Sequence, residues 1–174
     1  MPPRHPDRWL MTDERLGEAL WPALERLPRG GGVVFRHHAT ATAERARLFA
    51  RVAAVARRRR LLLVRAGATS LRGERGRDAR RGRGPVTWPA HSRREAIAAM
   101  RAGAALVFVS PIFPTRSHPG ARTLGPLRAA LIARGLPVAA IALGGVDERR
   151  YRRRLRALGF AGYAAIDAWG MPAS

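Results

Sequence analysis

Ala104–Leu124 reads AALVFVSPIFPTRSHPGARTL, and the order of its parts sets the fold. Ala105–Val109 is an apolar run too short for a helix of its own. It is rich in Val and Phe and closed by Pro111 and Pro114, which is the pattern of a strand buried on both faces. A stretch dense in Pro, Thr, Ser, His and Gly follows, and loops of that size are uncommon unless functional or disordered. Here it offers Thr115, Ser117 and His118 as hydrogen-bonding groups and Arg116 and Arg122 as charges. A polar loop leaving the C-terminal end of a buried strand is where α/β proteins hold ligands. A solvated crossover loop is the plainer alternative.

Outward from this stretch, strand and helix alternate. Upstream, Ser92-Arg93-Arg94-Glu95 is a capping box that opens a helix with Ala96, Ile97 and Met100 inward, stopped by Gly103. His91 therefore stands between a strand end at Pro85–Trp88 and a helix start. Further back, residues 8–13 read as a first strand, and Thr12 or Asp13 caps a helix with Leu16, Leu20, Ala23 and Leu27 on one face. Gly32–Phe35 is a second strand that delivers Arg36, His37 and His38. Adjacent His side chains on a strand point to opposite faces, so one buried and one exposed is expected rather than a joint metal site. Thr40 or Thr42 caps a helix near 41–58 with Leu48, Val52 and Val55 at core spacing, and Leu61–Val64 is a third strand. Beyond it the pattern fails. Thr69-Ser70-Leu71 is a weak strand, and 72–84 has no apolar face, so it reads as a solvated loop or frayed turn.

Downstream, Pro126 opens a helix ended by Gly135, and Val138–Ala142 is a buried strand running into Gly144-Gly145. Asp147 caps a helix with Tyr151, Leu155 and Leu158 inward, and Tyr163–Ile166 is the last strand. Such alternation predicts right-handed parallel βαβ units. Seven clear strands and the weak one make a compact TIM (β/α)8-type barrel, shortened around residues 66–84, as a single domain over 1–174. Its length falls below the roughly 200 residues usual for that fold.

Composition narrows the function classes. Hydrophobic residues make up 47% of the chain, the mark of a globular protein. No stretch reaches the roughly 18 apolar residues of a membrane-spanning helix, and the opening MPPRHPDRW lacks the apolar core of a signal peptide. No Cys is present, which removes disulfides and thiolate chemistry and suits a cytoplasmic protein. The formal net charge of +21 would ordinarily suggest nucleic acid. All 33 basic residues are Arg, however, and Lys, Asn and Gln do not occur at all, the sign of a general compositional bias. The Arg runs are scattered and have few aromatics to stack bases. A small anionic ligand fits better, since Arg suits phosphate; nucleic acid is not expected, and nothing sets an oligomeric state.

The segment from His91 to Trp169 resembles the thiamine phosphate synthase/TenI family. The match runs through HSRREAIAAMRAGAALVFVSPIFPTRSHPGARTLG, PVAAIALGGV and GFAGYAAIDAW, in order, spacing and residue type. In the N-terminal half it thins to Leu-Met-Thr-Asp and Arg36. The resemblance implies a TIM barrel handling the phosphorylated thiazole of thiamine. Synthases couple it to a pyrimidine methyl diphosphate with magnesium and release diphosphate; TenI-type relatives move a proton on the thiazole without metal.

By that resemblance Thr115, Ser117, His118, Gly144, Gly145 and Ile166 form the substrate-binding set, and His91 and Arg36 the catalytic one. The usual Ser after the last strand is Asp167, whose charge would oppose a phosphate. The family's Asn-Asp pair falls on Arg65-Ala66, so the expected magnesium ligand is missing, and Glu74 or Asp78 is the other carboxylate source. The reading is thus a synthase-type enzyme of thiamine biosynthesis using magnesium. Two alternatives stand beside it: a metal-free tautomerase using His91, and a barrel that binds a phosphorylated ligand without catalysis.

Overall fold

A computed structural model describes residues 5–67, 76–78, 86–115 and 120–169, with the backbone alone at 76–78 and 86. Eight parallel strands close into a barrel in chain order. They are β1 (Arg8–Met11), β2 (Gly32–Phe35), β3 (Leu62–Ala66), β4 (Gly76–Asp78), β5 (Val86–Ala90), β6 (Leu106–Val109), β7 (Ala139–Leu143) and β8 (Gly162–Ala165). The last strand pairs with the first, Trp9 opposite Ala164 and Leu10 opposite Ala165.

Two apolar layers follow from the two-residue period of a strand. Trp9, Met11, Val34, Val64, Leu106, Phe108, Ile141 and Ala164 fill the barrel itself. Trp9 and Phe108 meet edge to face at 5.3 Å in that interior. Gly32 makes room for them, since a Cβ there would lie 2.2 Å from the Trp9 ring. The alternate residues, Leu10, Val33, Phe35, Leu63, Val107 and Tyr163 among them, pack outward against the helices.

Around the barrel lie α1 (Leu20–Arg26), α2 (Thr42–Arg59), α3 (Arg93–Arg101), α4 (Gly125–Ala133) and α5 (Glu148–Arg150). The first differs from expectation. Asp13 does cap, accepting the Arg15 N–H at 3.1 Å, but the segment it opens is a 3-10 turn, Glu14–Ala19, interrupted at Gly17 (φ 47°) before α1 begins. The cap of α2 is Ala41 rather than Thr40 or Thr42, and it forms no side-chain capping bond. Ser92 caps α3 as read, its Oγ accepting the Glu95 N–H at 3.2 Å. Beyond α5 the helix continues as a π-turn, Tyr151–Leu155, and a 3-10 turn, Arg156–Leu158.

The fourth strand is the main correction. It is Gly76–Asp78, inside the stretch read as a solvated loop, held by pairing of Arg65 with Arg77 and Asp78 with Thr87. Residues 69–71, where a weak strand was expected, lie outside the described residues. The short connections between β3, β4 and β5 are where the chain saves its length. Among the described residues no helix is long and apolar enough to cross a membrane.

Candidate functional site

A cavity of about 720 Å³ opens at the C-terminal ends of the strands. Among the described residues, the ends of β1, β2, β5, β6, β7 and β8 contribute to it. Met11 comes from β1, Arg36 from beyond β2, Pro89 from β5 and His91 from just beyond it, Phe108 from β6 and Ser110 from just beyond it, Gly144 and Gly145 from beyond β7, and Ile166 and Asp167 from beyond β8. The loop after β6 adds Pro111, Pro114, Thr115 and Arg122. Of the residues expected at a site, His91, Arg36, Thr115, Gly144, Gly145 and Ile166 are therefore brought together. Ser117 and His118 lie outside the described residues.

His91 is fixed by three contacts. Its backbone N–H donates to the Glu95 carboxylate at 2.8 Å, a variation on the capping box in which Glu reaches one residue beyond the cap. Nδ1 lies 2.8 Å from the Ser110 carbonyl oxygen, with the Ser110 hydroxyl at 3.4 Å. A carbonyl only accepts, so Nδ1 carries a proton, and in the neutral ring Nε2 then holds the lone pair. A neutral imidazole of this tautomer lining a cavity is able to accept a proton from a ligand.

Arg36 is placed but engaged. Its backbone N–H donates to Thr12 Oγ1 at 3.0 Å, Nε to the Thr12 carbonyl at 2.9 Å, and Nη2 to Asp13 Oδ2 at 2.8 Å. Asp13 also takes Arg15 Nε at 2.7 Å. Burial pushes its carboxyl up, but the bonds from Arg15 and the Arg15 and Arg36 charges outweigh that and hold it below the ordinary Asp value. Behind this corner His37 is buried and His38 exposed, but both lie beyond the end of β2 and His37 has a positive φ of 37°, so a turn in the chain rather than strand alternation separates them. His37 stacks on Phe35 at 4.7 Å and meets Thr12 Oγ1 through Nδ1 at 2.9 Å. Burial lowers its pKa.

Gly144 and Gly145 owe their identity to the loop that crosses them. Both have positive φ, 92° and 61°. A Cβ on Gly144 would lie 2.8 Å from Pro111 Cα, and one on Gly145 2.4 Å from the Pro114 carbonyl oxygen. The β6 loop continues the sheet over this turn, Ile112 N–H donating to the Leu143 carbonyl and Phe113 N–H to the Gly144 carbonyl, both at 3.0 Å. Side chains are thus excluded and backbone lines the cavity.

Two further charges line the cavity. Arg150 donates through Nη1 to the Gly145 carbonyl and lies 5.2 Å from the Phe113 ring centroid. Asp167 lines the opposing loop; its charge, after the stronger bond from Asp13, helps raise the pKa of Arg15.

At the end of β3 the described residues offer magnesium no carboxylate. Magnesium takes oxygen ligands, usually with one or two carboxylates. Ala66 points into the barrel, and its carbonyl is taken by Arg45 Nη2 at 2.8 Å. Arg65 shares the outward side of β3 with Leu63 and is fully buried there. Asp13 is held between two guanidinium groups, and Asp147 accepts the Arg150 N–H at 2.7 Å. Among the described residues no three His, Asp or Glu side chains cluster. Asp78 is opposite Ala66 in the backbone register, and Glu74 lies outside the described residues.

A closed eight-stranded barrel with a cavity at its C-terminal face, ringed by loop residues and cationic at its rim, defines a TIM-barrel protein with a built ligand site. The chain belongs to the thiamine monophosphate synthase family, whose model matches residues 66–169. A solved thiamine phosphate pyrophosphorylase from Pyrococcus furiosus aligns with a TM-score of 0.77 at 22% identity, over 95% of this chain and 88% of that one. A structure described as native KDPGal gives 0.60 at 15% identity, over 95% and 84%. The YdjI aldolase from Escherichia coli K12 gives 0.59 at 12% identity, over 93% and 75%. At these identities the likeness is one of fold. No curated protein matches the sequence significantly.

Proposed function

We propose that the cavity binds a thiazole phosphate and that its chemistry is proton transfer by His91, the tautomerase form of the family's activity. The observation that carries this reading is the contact of His91 Nδ1 with the Ser110 carbonyl. Nδ1–H is spent on the Ser110 carbonyl, so the basic Nε2 belongs to a side chain in the cavity wall. In the proposed step Nε2 takes a proton from a ligand carbon, the electron pair moves through the conjugated ring, and the imidazolium returns a proton at the other end. Substrate and product have the same formula, so no co-reactant is needed. Thr115, Gly144 and Gly145 would receive the phosphate, and Ile166 would pack against the ring. The step runs without magnesium, in keeping with the donors at β3. A cytoplasmic setting, with small phosphorylated partners only, goes with the same reading.

A second reading, coupling to a pyrimidine methyl diphosphate, is favoured by the family description and by Arg36 in the cavity wall. Its diphosphate would have to compete with Asp13 for that guanidinium.

The test separates the two. Purified protein given the thiazole phosphate tautomer in deuterium oxide should isomerise it with uptake of deuterium, unaffected by EDTA. His91→Ala should lower the rate by about 10²- to 10⁴-fold, the usual worth of a general base. Formation of thiamine phosphate only when pyrimidine diphosphate and magnesium are added, with no isomerisation, would instead establish the coupling reaction.

A further inference from the structure

The glycine turn after β7 supplies backbone to a ligand, and no side-chain charge comes with it. The only guanidinium held rigidly beside that turn, among the described residues, is Arg150. We infer that Arg150 sets the specificity of the cavity for a phosphorylated ligand over its uncharged alcohol, an inference that rests on the ligand reading above.

Three observations place Arg150 for this task. It lines the same cavity as Gly144, Gly145 and Thr115. Its guanidinium is held from both sides of that wall, by the Gly145 carbonyl through Nη1 and by the Phe113 ring at 5.2 Å. Its side chain remains 51% exposed, so the cation is accessible rather than locked in the core. The Nη2 edge makes no hydrogen bond among the described residues and is left for a ligand oxygen. Asp147 is the nearest carboxylate, but it stands 4.0 Å from Nε and spends Oδ1 on the Arg150 backbone N–H.

A phosphate ligand gains from a cation in this wall. Asp167 lines the cavity where a neutral hydroxyl residue is usual in this family, and a carboxylate facing a phosphate dianion is repulsive. Arg122 lines the cavity too, but no contact among the described residues fixes it. A free Arg loses more side-chain entropy on binding than one already held against a ring and a carbonyl. Arg150 supplies a planar, charge-assisted donor to phosphate oxygens.

The experiment measures dissociation constants by calorimetry for inorganic phosphate, the thiazole phosphate and the thiazole alcohol, on wild type, Arg150→Gln and Arg150→Lys. The Gln variant should weaken the two phosphate ligands roughly 10- to 100-fold while the alcohol changes by less than about threefold, and Lys should restore part of the loss. Equal weakening of thiazole phosphate and alcohol would mean that Arg150 merely holds the loop, and overturns the inference; so would unchanged affinity. If wild type binds neither thiazole compound, the ligand reading fails on its own. The inorganic phosphate arm still decides on Arg150: loss of binding in the Gln variant supports it, and absence of binding to wild type overturns it.

Discussion

Asp13 governs how much of Arg36 a ligand can use. Its carboxylate accepts from Arg36 Nη2 at 2.8 Å and Arg15 Nε at 2.7 Å, and the pair with Arg36 is mostly shielded from solvent. Asp13→Asn removes the negative charge but keeps an oxygen acceptor. The cavity then becomes more positive, and diphosphate should bind several-fold more tightly, on the order of one charge interaction near a surface. Stability should fall, because a carboxylate held below its ordinary pKa contributes when ionised. Calorimetric titration with diphosphate checks the first and urea unfolding the second. Weaker binding in the variant would mean that Asp13 orients Arg36 rather than competes for it. Asp13 was legible in the sequence only as a cap and not as a partner of Arg36, and Arg150 does not stand out at all. In a chain whose 33 basic residues are all Arg, a single functional Arg carries no compositional signal, and only its contacts single it out.

Between elements, one buried side chain ties the rim of the site together. Arg45, on the first turns of α2, donates to the His37 carbonyl at 3.0 Å, the Arg36 carbonyl at 3.1 Å and the Ala66 carbonyl at 2.8 Å. Its guanidinium also lies 5.2 Å from the Phe35 ring. It therefore bridges the ends of β2 and β3 where no strand hydrogen bonds remain. Arg45→Met keeps the stem against Phe35 and strips the donors. Burying a cation is costly, which favours Met; here Met leaves carbonyls short of a donor, and that loss should dominate at roughly 2–3 kcal/mol. A urea midpoint unchanged from wild type would show that desolvation of the guanidinium offsets its three bonds. The elements themselves were legible wherever apolar period and turn chemistry agreed, as at β6, β7 and the Ser92 cap. The strand β4 was not, because Gly76-Arg77-Asp78 has no β propensity and no apolar face. Its pairing comes from β3 and β5 on either side, a tertiary demand that a local reading does not contain. The cavity's ring of strand-end residues was legible for the opposite reason: barrel topology alone decides where His91, Arg36 and Gly144 must meet.

The barrel as a whole depends on the seam where β8 meets β1, and that seam is stapled by charge. Arg8 donates to both oxygens of Glu148, through Nε at 2.8 Å and Nη2 at 2.9 Å, a bidentate pair across strand and helix. Tyr163 adds its hydroxyl to Glu148 at 3.1 Å, and the Arg8 guanidinium lies 5.3 and 5.2 Å from the Tyr151 and Tyr163 rings. Burial pushes the Tyr163 hydroxyl far above its ordinary pKa, so it stays a donor throughout the working range. Burial alone would raise Glu148, but its bonds from Arg8 and Arg152 prevail and lower it below 4.5. A carboxylate whose folded pKa lies below its unfolded value binds fewer protons when folded. The stability it contributes is complete above about pH 4.5 and is lost as pH falls through the lowered folded value. Asp13 adds to the same slope from below 3.8. Wild-type Tm should therefore be flat from neutrality down to about pH 5 on account of these two groups and fall beneath it. Glu148→Gln should lower Tm at pH 7 and flatten the acid limb, the two curves converging where Glu148 of the wild type is protonated. Curves that stay parallel into the acid range would mean that the seam is held by the tyrosine–arginine stack rather than by the carboxylate.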